Sequence, residues 1–166
     1  TDRQVRALFD APCGDWNWMK RVNFPDGMRY VGADIVPALV EKLKSKFENE
    51  QCSFRLLDIT ADPFPTSDLW LCRDCLAHLS FDDIRLALRN FAASDVHYAA
   101  LSSYITGRDN TDIASGGFRE LDLTQAPFHF PQPDLWINDW PDARNVRRVG
   151  VWRREHIAQA LAAARH

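Results

Sequence analysis

The chain has 166 residues, 46% of them hydrophobic and 26% charged, and 20 Lys+Arg against 23 Asp+Glu leave a net charge of −3. That is the length of one domain and the balance of a folded globular protein, which excludes wholesale disorder. No basic field is present to hold a nucleic-acid backbone, no apolar run is long enough to span a bilayer, and no signal-peptide pattern opens the chain. Four scattered cysteines are too few for a disulfide-stapled scaffold. The expectation is a single domain over 1–166, cytoplasmic with reduced thiols, and without a membrane or nucleic-acid partner.

Short apolar runs alternate with helical patterns along the chain. Strands are predicted at 5–11, 30–34, 54–57, 69–72 and 97–104, each nearly continuous in apolar residues, as burial on both faces requires. The turn after the first run should lead into a helix. Between the second and third strands, Leu39, Leu43 and Phe47 recur four apart behind Pro37, which suits the first turn of a helix over 37–47. Ser80 reads as an N-cap with Asp83 completing a short-armed capping box, followed by an apolar stripe at Ile84, Leu88 and Phe91. From Gly107 onward Gly and Pro loosen the pattern, and a long irregular segment of this kind is suspect unless it is functional. Strands near 135–137 and 146–152 and an alanine-rich helix at 155–165 close the chain. Alternating strands and helices predict an α/β fold with a mostly parallel sheet and helices on both faces.

Three successive strands end in aspartates, Asp10, Asp34 and Asp58. In an open parallel sheet ligands bind outside the carboxyl ends of the strands, so these carboxylates line one rim of a crevice. Gly14, in the turn after the first strand, allows close approach of backbone to a ligand. Asp34 lies where nucleotide-binding units place a carboxylate for the two hydroxyls of a ribose. Acidic residues also gather in loops after strands for solubility alone. The ordered set carries the argument, with Ile35 and Ile59 following the second and third aspartates.

The run Phe9-Asp10-Ala11-Pro12-Cys13-Gly14-Asp15 resembles motif I of the class I S-adenosylmethionine-dependent methyltransferases, and Tyr30-Val31-Gly32-Ala33-Asp34-Ile35 resembles their motif II. Leu57-Asp58-Ile59 is similar to the segment whose aspartate meets the adenine amino group, and the run from Leu71 to Leu79 is similar to motif IV and its continuation. The resemblance implies a Rossmann-like sheet with an antiparallel final strand, a cofactor half over about 1–80 and an acceptor half over about 81–166. It implies S-adenosylmethionine as cofactor and S-adenosylhomocysteine as product. The implied cofactor-binding residues are Asp10, Pro12, Cys13, Gly14, Asp15, Trp16, Asp34, Ile35, Asp58, Ile59 and Arg73. Two departures stand out. Pro12 and Trp16 occupy positions where the family usually has glycine, and the chain starts only a few residues before its first strand, where members usually carry a helix.

A sulfonium ligand with an ammonium tail suits Asp10 and Asp15, whereas a pyrophosphate beside them would be repelled. Asp74 and His78 are four apart, so a helical turn would put them on one face with Asp74 orienting His78 as a general base. Equally, Asp74 caps the turn and His78 packs under the adenosine. Cys72, Cys75 and His78 spell C-x-x-C-x-x-H, but a structural zinc site wants a second such knuckle, so packing cysteines and no metal are expected. Beyond the fifth strand, Tyr104, Arg108, Asn110 and Arg119 sit on a loop over the expected acceptor site, with Arg119 suited to an anionic group. Trp16 is expected to wall the cofactor site. The sequence thus predicts a methyltransferase acting on an oxygen or nitrogen of a small molecule. The competing reading is a catalytically silent domain of the same fold that serves as a binding partner or subunit.

Overall fold

Near-continuous apolar segments do form the buried strands. The computed structural model describes residues 5–140 and 146–163, the side chain of Trp140 excepted. Strands β1 (Ala7–Asp10), β2 (Arg29–Asp34), β3 (Cys52–Leu56), β4 (Leu69–Cys72), β5 (Tyr98–Tyr104), β6 (Leu135–Trp140) and β7 (Arg147–Arg153) make one sheet in the order β3-β2-β1-β4-β5-β7-β6. The pairs among β1 to β5 are parallel, and β7 runs antiparallel to both β5 and β6. Chain order reverses between β1 and β4, which is the switch point where such sheets open a crevice at their carboxyl ends.

Helix α1 (Pro37–Phe47) starts at its proline, as predicted, and buries Val40 and Leu43 on one face of the sheet with Leu8, Tyr30 and Phe54. Helices α2 (Phe81–Ala93) and α3 (Arg154–Ala163) cover the other face, where Ile84, Leu88, Phe91, Ile157 and Leu161 pack on Phe9, Trp70 and Leu101. The C-terminal end of the helix predicted over 155–165 lies outside the described residues. Among the described residues, no helix is long and apolar enough to cross a membrane.

The helix expected after β1 does not form. Gly14 (φ 54°) and Trp16 (φ 57°) both adopt left-handed backbone, which breaks a right-handed helix at its start. Only one 3-10 turn, Met19–Arg21, follows before Pro25 and Gly27 turn the chain into β2.

Ser80 caps α2 by accepting the Asp83 N–H at 3.2 Å. The reciprocal half of the capping box is relayed through a third residue. The Ser115 hydroxyl accepts the Ser80 N–H at 2.9 Å and donates to the Asp83 carboxylate. Ser80→Ala is expected to lower stability by about 1 kcal/mol, the usual cost of losing an N-cap; a urea unfolding midpoint unchanged from the wild type would refute the cap.

The irregular stretch after β5 is strapped down. Leu121, Leu123, Phe128 and Phe130 peg it into the core. The buried Asp122 carboxylate accepts the N–H groups of Thr106, Gly107 and Thr124. Asn110, expected to meet the acceptor, clamps the same loop instead. Its amide nitrogen donates to the carbonyls of Asp122 and Ala126, and its oxygen accepts the Asp122 N–H. Three hydrogen bonds of that side chain serve backbone.

Candidate functional site

Outside the carboxyl ends of β1, β2 and β3 the structure opens a groove of about 320 Å³. Pro12, Ala33, Ile35, Leu57, Ile59 and Leu79 give it apolar walls, and its polar contributors include Asp34, Asp58 and Asp83. Among the described residues lining it there is no Lys or Arg. Apolar walls suit a flat ring, and carboxylates without a cation suit hydroxyls, amines and positive charge. A phosphate would meet only repulsion.

Asp34 is held through both of its carboxylate oxygens. One carboxylate oxygen accepts the Gly14 N–H and the other the Val36 N–H, each at 3.1 Å. Left-handed backbone at Gly14 turns its amide back toward β2, so the turn after β1 and the end of β2 are fixed to each other through one carboxylate. Asp58 accepts the N–H and hydroxyl of Thr60 at 2.8 and 2.7 Å, and closes its own turn at the groove wall. Ile35 is 62% exposed, a large apolar side chain left uncovered beside Asp34.

Asp10 is buried beneath this rim. It is 2% exposed and accepts the Tyr30 hydroxyl at 2.7 Å. Burial pushes its carboxyl up to about 7, the Tyr30 hydrogen bond and the Arg73 charge pull the other way, and the Asp34 charge adds to the rise. The neighbouring Cys13 thiol is pushed up to about 12 by burial and then by the charges of Asp10 and Asp34, which disfavours the thiolate. Asp15 is exposed and accepts the Asn17 N–H at 3.0 Å, turned to solvent at the edge of the loop.

Trp16 does not wall the groove. Its left-handed backbone directs the indole under β2, where it packs on Phe47, Phe54 and Tyr30 with centroids 4.9, 5.2 and 5.7 Å away. Arg73 does not line the groove either: it pairs with Asp139 of β6 at 2.9 Å and lies over the Trp18 ring.

The expected Asp74–His78 pair is not assembled. Asp74 takes left-handed backbone (φ 57°), and the turn beyond it, Leu76–His78, is 3-10 rather than α-helical. The Asp74 carboxylate pairs with Arg147 at 2.6 Å, and Arg147 also reaches Asp139 at 2.8 Å. His78 is oriented by backbone instead, with Nδ1 2.8 Å from the Gly117 carbonyl and its ring 5.3 Å from that of Phe118. Because a carbonyl only accepts, Nδ1 is the donor, and in the neutral ring Nε2 is left to accept.

The loop bearing Phe118 is strapped across this turn. Gly116 N–H donates to the His78 carbonyl and Arg119 N–H to that of Ala77. The Arg119 guanidinium donates to the Leu79 carbonyl at 2.7 Å, lies over the Phe81 ring, and is lowered in pKa by burial against the opposing charge of Asp112. With Nε and Nη2 buried, it braces the strap and does not present itself to an acceptor. Tyr104 is buried with its ring 6.1 Å from Phe118, and Arg108 stays exposed on the loop. Phe118 itself is 56% exposed between His78 and Tyr104.

Two residues that matter here escaped the sequence reading. Tyr30 had a readable signal, because residues 30 and 34 of one strand share a face and put the phenol beside the rim aspartates. Ser115, in contrast, carries no local mark of its role, which depends on a contact with the start of α2.

A family profile described as a methyltransferase domain matches residues 9–93. No curated protein sequence matches the chain. Among solved structures it resembles human N-acetylserotonin methyltransferase in complex with SAM, at 16% identity and a TM-score of 0.64 over 89% of this chain and 48% of that one. The mitomycin 7-O-methyltransferase MmcR is similar at 19% identity and a TM-score of 0.67, over 92% of this chain and 50% of its own. A third likeness is the 1,6-didemethyltoxoflavin-N1-methyltransferase of Burkholderia thailandensis with bound 1,6-didemethyltoxoflavin and S-adenosylhomocysteine, at 19% identity and a TM-score of 0.63 over 91% and 71% of the two chains. The chain thus spans about half the length of the first two. At these identities the likeness is one of fold, the Rossmann-like class I methyltransferase sheet.

Proposed function

The chain belongs to the methyltransferase-domain family, and from that premise we propose that it binds S-adenosylmethionine in the groove at the carboxyl ends of β1 to β3 and transfers the methyl group to an oxygen or nitrogen of a small molecule. The observation that carries this reading is Asp34. It is fixed by two backbone N–H groups in a groove whose other walls are apolar or acidic. A ribose would donate its hydroxyl hydrogen bonds to that carboxylate, and an adenine ring would lie between Ile35 and Ile59 near Asp58. Asp10 stands toward the methionine end, where its charge favours an ammonium group.

When bound, the cofactor supplies an electrophilic methyl on a positively charged sulfur. The chain's part is to align an acceptor atom with that methyl, exclude water and receive a proton where the acceptor carries one. His78 is the residue suited to the last task, since its Nδ1–H is committed to Gly117 and Nε2 is left to accept. The exposed Phe118 ring beside it offers a stacking surface for the acceptor. Asp74 is no part of this step, being held by Arg147. Arg108, exposed on the same loop, offers a cation to a charged acceptor.

Calorimetric titration with S-adenosylmethionine and S-adenosylhomocysteine, with NAD as control, tests the reading. Binding of the first two alone is expected. Binding of NAD, or of none of the three, would overturn it. Cofactor binding without turnover on any hydroxyl or amine acceptor would instead favour the silent domain.

A further inference from the structure

We infer that Tyr30 is a positioning residue for cofactor binding: its hydroxyl holds the buried Asp10 carboxylate ready for the cofactor's ammonium group, and links cofactor affinity to the protonation of Asp10. The inference rests on the cofactor reading above and assigns a role within that site.

The geometry leaves the phenol little freedom. Tyr30 is 1% exposed, with its ring against Trp16, Phe24 and Phe54 at centroid distances of 5.7, 5.2 and 6.0 Å. Gly32, directly opposite Asp10 in the β1–β2 ladder, makes room for this arrangement. A Cβ there would lie 2.9 Å from Tyr30 Cε1 and 2.8 Å from Phe54 Cδ1. The packed ring holds the hydroxyl 2.7 Å from Asp10.

The groups facing Asp10 divide by sign. Tyr30 from β2 and Arg73 from the end of β4 favour the carboxylate, while Asp34 at the end of β2 opposes it together with burial. The Cys13 and Cys72 thiols complete the surroundings, and both are themselves pushed upward beside Asp10, by burial first. A carboxyl near neutrality on balance is protonated in part of the free protein at physiological pH. An ammonium brought beside it favours the charged form. Binding below about pH 7 then expels the Asp10 proton, and affinity rises with pH until that proton is already gone. Removing the Tyr30 hydroxyl raises the Asp10 pKa and moves this rise to higher pH.

The test compares the wild type with Tyr30→Phe, which keeps the ring, by calorimetry from pH 5.5 to 8.5. Two ligands are used: S-adenosylhomocysteine, and 5′-methylthioadenosine, which has the adenosine but no ammonium. For S-adenosylhomocysteine a deficit of about tenfold is expected in the variant below pH 7, the size of one pKa unit, shrinking toward the wild-type value at pH 8.5. The ligand's own amine titrates identically in both comparisons and drops out. Methylthioadenosine should bind both proteins alike at every pH. For the wild type alone, titration at pH 6 in two buffers of different ionisation enthalpy should show release of protons with S-adenosylhomocysteine and none with methylthioadenosine. A deficit uniform in pH, an equal loss of both ligands, or no proton release in the wild type would overturn the inference while leaving the cofactor reading intact. Failure of the wild type to bind either ligand would overturn both. The two-buffer measurement tests the Asp10 linkage on the wild type alone, so the inference stays refutable even if the variant does not fold.

Discussion

Asp34→Ala is expected to weaken S-adenosylmethionine binding by about 1.5–3 kcal/mol, the range for a hydrogen bond to a charged group. The carboxylate does two things that the substitution removes together. It accepts the Gly14 and Val36 N–H groups and so holds the turn after β1 against the end of β2. In the proposed complex it also accepts from the ribose. Asp34→Asn separates these roles, because one amide oxygen can still accept a backbone N–H while the charge is gone. It is expected to fall between the alanine variant and the wild type. The measurement is the dissociation constant by calorimetry, with thermal melting to confirm that each variant folds. Unchanged affinity in Asp34→Ala would place the ribose elsewhere and leave the groove without its cofactor role.

What the sequence disclosed about this site follows from how far each signal reaches along the chain. Pro37, Ser80, Asp34 and Asp58 act within a few residues of themselves, so helix α1, the cap of α2 and that part of the groove wall were legible, whereas Asp10, expected on the same rim, is buried beneath it. Trp16 was misread because an indole after a glycine turn looks like a pocket wall. Only its positive φ, set by the turn as a whole, sends it under β2. Asp74 was misread for a different reason. Its spacing to His78 is local, but its partner is Arg147, brought to it by the antiparallel β5–β7 ladder that sets Tyr104 opposite Arg147. The Arg147 guanidinium, 2.6 Å away, holds the carboxylate that the local spacing assigned to the ring four residues along. Asn110 shows the same limit on a loop. A polar side chain over an acceptor site and one that sews the loop to itself look alike until the carbonyls of Asp122 and Ala126 are placed beside it.

His78→Ala is expected to lower turnover by about 10²–10⁴-fold on a hydroxyl acceptor, the usual contribution of a general base, while cofactor affinity stays near the wild-type value. The argument rests on the hydrogen bond from Nδ1–H to the Gly117 carbonyl, which fixes the tautomer without help from a carboxylate. It also fixes the ring's direction, because the loop that carries Gly117 is tied to the same turn through the Gly116 and Arg119 N–H groups. An acceptor hydroxyl loses its proton as the new bond to the methyl carbon forms, so the missing base raises the barrier of that step alone. An amine that reaches the site already neutral attacks through its own lone pair, and the same variant then loses little, since no base is needed for that attack. The size of the loss therefore separates the two acceptor classes that the fold accommodates. If cofactor affinity collapses instead, with the variant still folded, His78 belongs to the wall of the adenosine site and the base must be sought elsewhere.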